Sequence, residues 1–330
     1  MTDAADATAA DRPPAVTVIC GGVGAARLLT GIRRVVADEG TVTAIANVGD
    51  DLELYGLRIS PDLDTIVYTT SGAVSRERGW GLEGETWQAM DTVGRYGGPN
   101  WFSLGDRDLG THMYRTHRRA EGATLSSVTA EIAAAWGLGF RLLPVTDDRL
   151  RTMVTVPAGP DDGPGPDTEI TFQEYFVGRQ HGVAVSAVRF DGAETARPAP
   201  GVIPALATAG RIVIAPSNPV VSIDPVLAVP GVRSALAARR EDVVAVSPII
   251  GGRALKGPAD RLLTEMGGEA SAVGVAHWYR DLVGTMIIDT ADAAQADEIA
   301  ALGITPVVMP TIMGDPEVTD RLARAVCGTA

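Results

Sequence analysis

Four aspartates, Asp50, Asp51, Asp62 and Asp64, fall within fifteen positions in "NVGDDLELYG" and "SPDLDT". Carboxylates in two neighbouring loops can hold a hard divalent cation such as Mg²⁺, which takes one or two of them beside substrate phosphates and fills its remaining positions with water. A carboxylate can also take the proton of an attacking hydroxyl. Acid clusters are equally often solvated turns, and Asp62, directly after Pro61, has the position of a cap for a helix over 63–70. Asp51 is expected to face solvent.

A phosphate site is written upstream. In "VTVICGGVGAARLLTGIRR" (16–34) a β-branched run stops at Gly21, Gly22 and Gly24, and a helical pattern of Leu28, Leu29 and Ile32 follows. That is a strand, a tight turn and a helix, with backbone N–H groups placed for a phosphate. The turn matches neither GxGxxG nor GxxxxGK[ST], because Ala25, Ala26 and Arg27 follow. Two later loops have the same character: "APSNPVVSIDP" with Ser217 and Asn218, and "SPIIGGRALKGPAD" with Ser247, Gly251, Gly252, Arg253 and Lys256. Short polar and glycine loops suit a nucleobase, a ribose or a diphosphate. In "LGDRDLGTHMYRTHRR", Asp106, Arg107 and Asp108 precede a helical stretch carrying His112 and His117. Asp at such a start is often a cap, and His117 belongs to a basic surface face. Arg107 can fork two phosphate or carbonyl oxygens.

These residues need a frame. Short β-rich runs recur at 16–20, 41–47, 211–217, 243–248, 285–289 and 305–310, and helical patterns at 25–37, 126–136, 231–240, 258–266, 271–282, 292–302 and 316–327. Their alternation predicts an α/β fold, a Rossmann-like doubly wound and mostly parallel sheet with ligands beyond the carboxyl ends of its strands. Between 153 and 192 three segments, "MVTVPAG", "EITFQEYFVG" and "VAVSAVRFDG", are extended in pattern without a long helix between them, and a Gly/Pro/Asp turn spans 158–167. One domain over 15–330, with a β-rich and helical insertion around 75–200, follows. Residues 1–14 have the composition of a disordered tail without a basic or apolar leader.

The formal charge of −13 argues against nucleic acid and anionic membrane as partners, since both need Lys and Arg against phosphates. The 330 residues contain two cysteines, Cys20 and Cys327, which give no disulfide framework and no zinc spacing. A cytoplasmic homodimer acting on small molecules is expected.

Taken together and in this order, "GGVGAARLL", "NVGDD", "SPDLDT", "RGWG", "LGDRDLGTH", "LLPVTDD", "APSNPVVSI" and "VSPIIGG" resemble the 2-phospho-L-lactate transferase family of coenzyme F-420 biosynthesis, over roughly residues 16 to 325. The actinobacterial branch, the phosphoenolpyruvate transferases, is the most similar. The resemblance implies a Mg²⁺-dependent transfer from a guanosine diphosphate ester, enolpyruvyl-diphospho-guanosine or its L-lactyl counterpart, to the ribityl hydroxyl of the deazaflavin Fo. Dehydro-F-420-0 (or F-420-0) forms and GMP leaves. It implies that Gly21, Gly22 and Gly24 approach the diphosphate. Ser217, Asn218, Ser247, Gly251 and Gly252 would cradle the guanosine end. Asp50, Asp62 and Asp64 would serve the metal, with Asp64 and Asp50 as the catalytic acids, and Asp64 and Arg107 would meet Fo. Two positions depart from the family pattern. Val23 replaces a common Thr, and Asp224 stands where glycine is frequent.

Two other classes compete. A nicotinamide-dependent oxidoreductase needs a GxGxxG turn and an acid at the end of the second strand, where this chain has Asn47. A non-catalytic nucleotide-sugar-binding regulator, of the related gluconeogenesis-factor group, would share the glycine loop and the sheet. The intact "SPDLDT" and "LGDRD" stretches favour the transferase.

Overall fold

Seven β-strands form one sheet: Val16–Cys20 (β1), Val42–Ala46 (β2), Arg141–Pro144 (β3), Arg211–Ile214 (β4), Val243–Val246 (β5), Thr285–Ile288 (β6) and Thr305–Val308 (β7). A computed structural model describes residues 15–158 and 167–329. The tail expected at 1–14 lies outside them, as does nearly all of the turn expected at 158–167. The strands lie in the order β7-β6-β5-β4-β1-β2-β3, every neighbouring pair parallel. Helices cover both faces, which is why β1, β2 and β5 are apolar without alternation and buried along their whole length. Six strands coincide with the runs read from the sequence. The strand Arg141–Pro144 brings the chain back to the sheet edge in the middle of the expected insertion.

The strand order reverses between β1 and β4, where Val16 pairs with both Val42 and Arg211. Connections from these two strands leave in opposite directions and open a crevice beyond their carboxyl ends. Helix Gly22–Val35 (α1) starts there and packs its Ala25, Leu28, Leu29 and Ile32 face inward. Between β2 and β3 come an antiparallel hairpin, Leu52–Leu54 with Leu57–Ile59, then Pro61–Thr70 (α2), Gln88–Arg95 (α3), Asp108–Ala120 (α4) and Leu125–Ala135 (α5).

Between β3 and β4 a three-stranded antiparallel sheet centres on Arg151–Val156, flanked by Thr168–Thr171 and Ala187–Asp191. "EITFQEYFVG" does not stay extended. After Thr171 it winds into one wide helical turn, Glu174–Gly178. The Glu174 carboxylate accepts from both the backbone N–H and the hydroxyl of Thr171 at 2.8 Å, and Phe172 stacks on Phe176 at 5.5 Å. A local side-chain bond and aromatic anchors override strand propensity here. Among the described residues, no helix is long and apolar enough to cross a membrane.

Candidate active site

The crevice at the strand-order reversal is floored by the loops after β1 and β4, and these loops are stitched together. The Ser217 hydroxyl donates to the Gly21 carbonyl at 2.7 Å and accepts from the Gly21 N–H at 3.4 Å. Asn218 accepts from the Val220 N–H at 3.0 Å and so caps the turn Pro219–Ile223. The glycines are required by space. A Cβ on Gly21 would lie 2.9 Å from an Asp62 oxygen, and one on Gly24 would lie 2.3 Å from the Pro216 carbonyl oxygen. Gly22 also has a φ of +71°, in the left-handed region. Gly24→Ala is therefore expected to lose well over 2 kcal/mol of stability, since the clash is with backbone. A chemical-denaturation midpoint equal to that of the parent protein would contradict this close approach.

Asp62 is not the cap of α2. Ser60 holds that position, and Asp62, buried in the first turn, instead accepts from the Asn47 amide at 2.9 Å and from the Gly22 N–H. Asn47, at the end of β2, also accepts from the Gly49 N–H at 2.7 Å, which fixes the loop that carries Asp50. Asp50 is buried, and its Oδ1 has no hydrogen-bond partner. Burial pushes its carboxyl well above the usual range and the charge of Asp62 adds to this, against the polar groups of Asn47 and Thr152. Burial likewise lifts Asp62 to about 6, opposed by its bonds to Asn47 and Gly22. Asp51 is half-buried, not solvent-facing, and accepts from the Ser60 hydroxyl at 2.8 Å. Burial raises it to about 7 despite Arg151 and Arg115.

Asp64 sits in a different environment. Both of its oxygens meet the Arg115 guanidinium, Nη1 on Oδ2 at 3.1 Å and Nη2 on Oδ1, and all of these groups are buried. His112 lies between two acids, with Nδ1 3.7 Å from Asp64 Oδ2 and Nε2 3.2 Å from Asp108 Oδ2. The Tyr68 hydroxyl donates to Asp108 at 2.5 Å. The four aspartates thus divide: Asp50 and Asp62 lean on neutral partners, Asp51 has Arg151 and Arg115 nearby, and Asp64 is paired directly with Arg115. Among the described residues, Asp64, Asp108 and His112 bring ligand atoms within 4.8 Å of one another, whereas Asp50, Asp62 and Asp64 do not form such a set. Arg115 was missed in the sequence, although Asp108, His112 and Arg115 follow the four- and three-residue spacing of one helix face.

Other expected site residues have more local duties in the structure. Asp106 caps α3 by accepting from the N–H groups of Gln88 and Ala89 at 3.0 and 3.1 Å. Arg107 is exposed, and its guanidinium donates to the Glu83 carbonyl. Ser247 closes a turn on Ile249, donating to its carbonyl at 2.9 Å. Gly251 and Gly252, with φ of +57° and +78°, turn a hairpin whose Gly251 N–H donates to Asp292 at 3.1 Å. Asp224 accepts from the Trp278 indole at 3.0 Å, and burial lifts its carboxyl to about 7. Its Oδ2 is engaged there, while its buried Oδ1 has no hydrogen-bond partner. Cys20 and Cys327 are both buried as free thiols.

With Asp50 carrying an unpartnered buried oxygen beside a second raised carboxyl, the donor set fits a hard divalent cation. The glycine loop and two polar loops at the same sheet edge fit a phosphorylated ligand. Residues 16–309 match the family model of 2-phospho-L-lactate transferase CofD. A phosphoenolpyruvate transferase of Streptomyces griseus is 43% identical over 311 residues, covering 94% of this chain and 96% of its own length. One of Mycobacterium avium is 43% identical over 329 residues, covering 94% and 97%. Among solved structures, protein BH3568 of Bacillus halodurans superposes with a TM-score of 0.61 at 17% identity, covering 96% of this chain and 99% of that one. That likeness is one of fold.

Proposed function

We infer that this chain, which belongs to the 2-phospho-L-lactate transferase CofD family, transfers a phosphoenolpyruvyl group from enolpyruvyl-diphospho-guanosine to the ribityl hydroxyl of Fo, releasing GMP. The observation that carries the inference is the pair of Asp50 and Asp62, both raised by burial and Asp50 also by the charge of Asp62, beside the close-packed glycine loop at the sheet's reversal point. Such a site is completed by a diphosphate and a divalent cation together. Relatives of 42–44% identity named phosphoenolpyruvate transferases support the enolpyruvyl donor over the lactyl one.

In this reading the loops after β1 and β4 hold the donor by its diphosphate, and the 247–252 turn receives the guanosine. Asp50 and Asp62 would hold Mg²⁺, which supplies positive charge against the diphosphate oxygens as GMP departs. Asp64 receives the hydrogen of the attacking hydroxyl, and Arg115 and His112 fix the direction of its oxygens. The hydroxyl oxygen attacks the phosphorus bearing the enolpyruvyl group, the bond to the GMP oxygen breaks, and the hydroxyl proton passes late to the carboxylate. Alignment and charge neutralisation do most of the work in phosphoryl transfer, so no covalent nucleophile of the protein is required.

The test is turnover. Incubation with Fo and both donors in competition, followed by mass spectrometry, is expected to give dehydro-F-420-0 and GMP. Chelator should abolish the reaction, and added Mg²⁺ should restore it. Full activity in chelator would overturn the metal role, and a predominantly lactyl product would overturn the donor. Nucleotide binding without turnover of either donor would place the chain with the binding proteins of the same fold.

A further inference from the structure

One buried carboxyl is not used by the site described so far. Asp224 follows the turn Pro219–Ile223, which Asn218 caps, and opens the short helix Asp224–Ala228. Its Oδ2 accepts from the indole N–H of Trp278, the last residue of the helix Ala272–Trp278, at 3.0 Å. Its Oδ1 is buried without a hydrogen-bond partner, and the half-exposed Arg233 guanidinium stands 3.9 Å away. The hydroxyl of Tyr279, next after Trp278, is likewise buried and unpartnered. A carboxyl so placed does little for stability, since burial penalises it and one oxygen is unsatisfied. Its position gives it a different use.

Asp224 stands where the two halves of the crevice meet. On one side, a Cβ on Gly49 would lie 3.1 Å from Cβ of Pro225, so the loop that carries Asp50 packs against the residue next to Asp224. Asn47 ties that loop to the turn by donating to the Val221 carbonyl at 3.4 Å. On the other side, a chain of hydrogen bonds runs from the Trp278 helix to the 247–252 turn. The Val273 N–H donates to the Gln295 side chain at 3.0 Å, Gln295 donates to Asp292 at 3.0 Å, and Asp292 accepts from the Gly251 N–H at 3.1 Å. A Cβ on Gly252 would lie 3.6 Å from the Ala270 carbonyl oxygen, just before the same helix. Among the described residues, no hydrogen bond other than Asp224–Trp278 joins 217–229 to 247–282. Apolar packing is non-directional, whereas a hydrogen bond fixes both a distance and a direction.

We propose that the Asp224–Trp278 hydrogen bond is a clasp that sets the spacing between the two donor-binding regions, which makes Asp224 a positioning residue for the nucleotide donor. It touches neither the substrate nor the reacting phosphorus. A nucleoside diphosphate ester must meet the loops after β1 and β4 with its phosphates and the 247–252 turn with its base end, in one geometry. An error in that spacing weakens a ligand held at both ends, but not one held at a single end. The assignment rests on the donor proposed above and adds what keeps its two subsites in register.

The experiment uses the full-length protein with Mg²⁺ and three probes: GDP, which spans both regions, and pyrophosphate and guanosine, which each reach one. Affinities are read by calorimetry. Trp278→Phe keeps an aromatic ring in place but removes the N–H donor, and Asp224→Ala removes the acceptor. Each is expected to weaken GDP about three- to tenfold, the net contribution of one hydrogen bond, while pyrophosphate and guanosine bind as they do to the parent. Combining the two should weaken GDP no further, because both remove the same bond. Asp224→Asn, which keeps an oxygen for the indole, should retain parental affinity. In turnover, Trp278→Phe should raise KM for the nucleotide donor with kcat and KM for Fo unchanged. Parental GDP affinity in both single variants would overturn the clasp and leave the transferase reading standing. Equal losses for GDP and pyrophosphate would also overturn it, by showing that the bond merely maintains the loops. GDP binding that depends on Trp278, in a protein that turns over neither donor, would keep the clasp and overturn the transfer reaction. Failure of the parent protein to bind GDP would overturn both.

Discussion

Replacing Arg115 by methionine is expected to produce the largest stability loss of any single change in the site, about 3–5 kcal/mol, because it strands the buried Asp64 carboxylate without its counter-ion. In a chain of this size that corresponds to a fall of roughly 4–7 °C in melting temperature. The cause can be isolated. Asp64→Leu combined with Arg115→Met removes both charges and should recover most of the loss, since an apolar pair of similar volume is often no worse than the buried ion pair it replaces. Activity should not recover with stability, because the double variant lacks the carboxylate proposed to receive the hydroxyl proton. Calorimetry of the four proteins in the cycle gives the coupling energy directly. An unchanged midpoint in Arg115→Met would mean that Asp64 has other cationic support.

Arg115 also marks where sequence reasoning stopped. The frame was legible because its signals are local. Val16–Cys20 is a β-branched run that ends at a glycine, and the helix pattern of Leu28, Leu29 and Ile32 restarts at once. Six strands of the parallel sheet announce themselves in this way. Arg141–Pro144 is a seventh of the same kind, but it lies between an all-helical stretch and an antiparallel sheet, so alternation alone did not assign it. The acid cluster was legible as a cluster, not as two environments. Asp62 and Asp64 are two residues apart on one helix, a spacing that turns them to different faces. One therefore meets Asn47 and Gly22, and the other meets an arginine fifty-one positions away. Which carboxylate finds a cationic partner is decided by such distant contacts. The local duties of Asp106 and Ser247 were hidden for a simpler reason. A polar residue beside a helix start or a turn reads identically whether its oxygen is spent on the backbone or kept for a ligand.

At pH 8 and without divalent cations, Asp50→Asn is expected to stabilise the protein while abolishing its activity. The two effects have one origin. Asp50 has a buried oxygen with no partner, and burial together with Asp62 makes its ionisation costly. Asn carries no charge at any pH, so the substitution removes both the repulsion from Asp62 and the cost of ionising a buried group. The sign of the pH dependence follows. Asp50, Asp62, Asp51 and Asp224 are all raised in the folded protein, with Asp62 at about 6 and both Asp51 and Asp224 at about 7. The unfolded chain releases these protons near pH 3.8, so the stability they contribute is present in full below that value. It is lost as pH rises through 6 and 7. The melting temperature in chelator should accordingly be higher at pH 5.5 than at pH 8. Asp108 and Asp191 are lowered instead, and their effect falls below the unfolded carboxylate range, outside this window. Mg²⁺ should reverse the loss at pH 8, by about 2.7 kcal/mol at a hundred times its dissociation constant, and much less at pH 5.5, where protons compete for Asp62. In Asp50→Asn the Mg²⁺ response should vanish. If Mg²⁺ stabilises Asp50→Asn as much as the parent, the cation is held elsewhere, and the cluster of Asp64, Asp108 and His112 becomes the place to look.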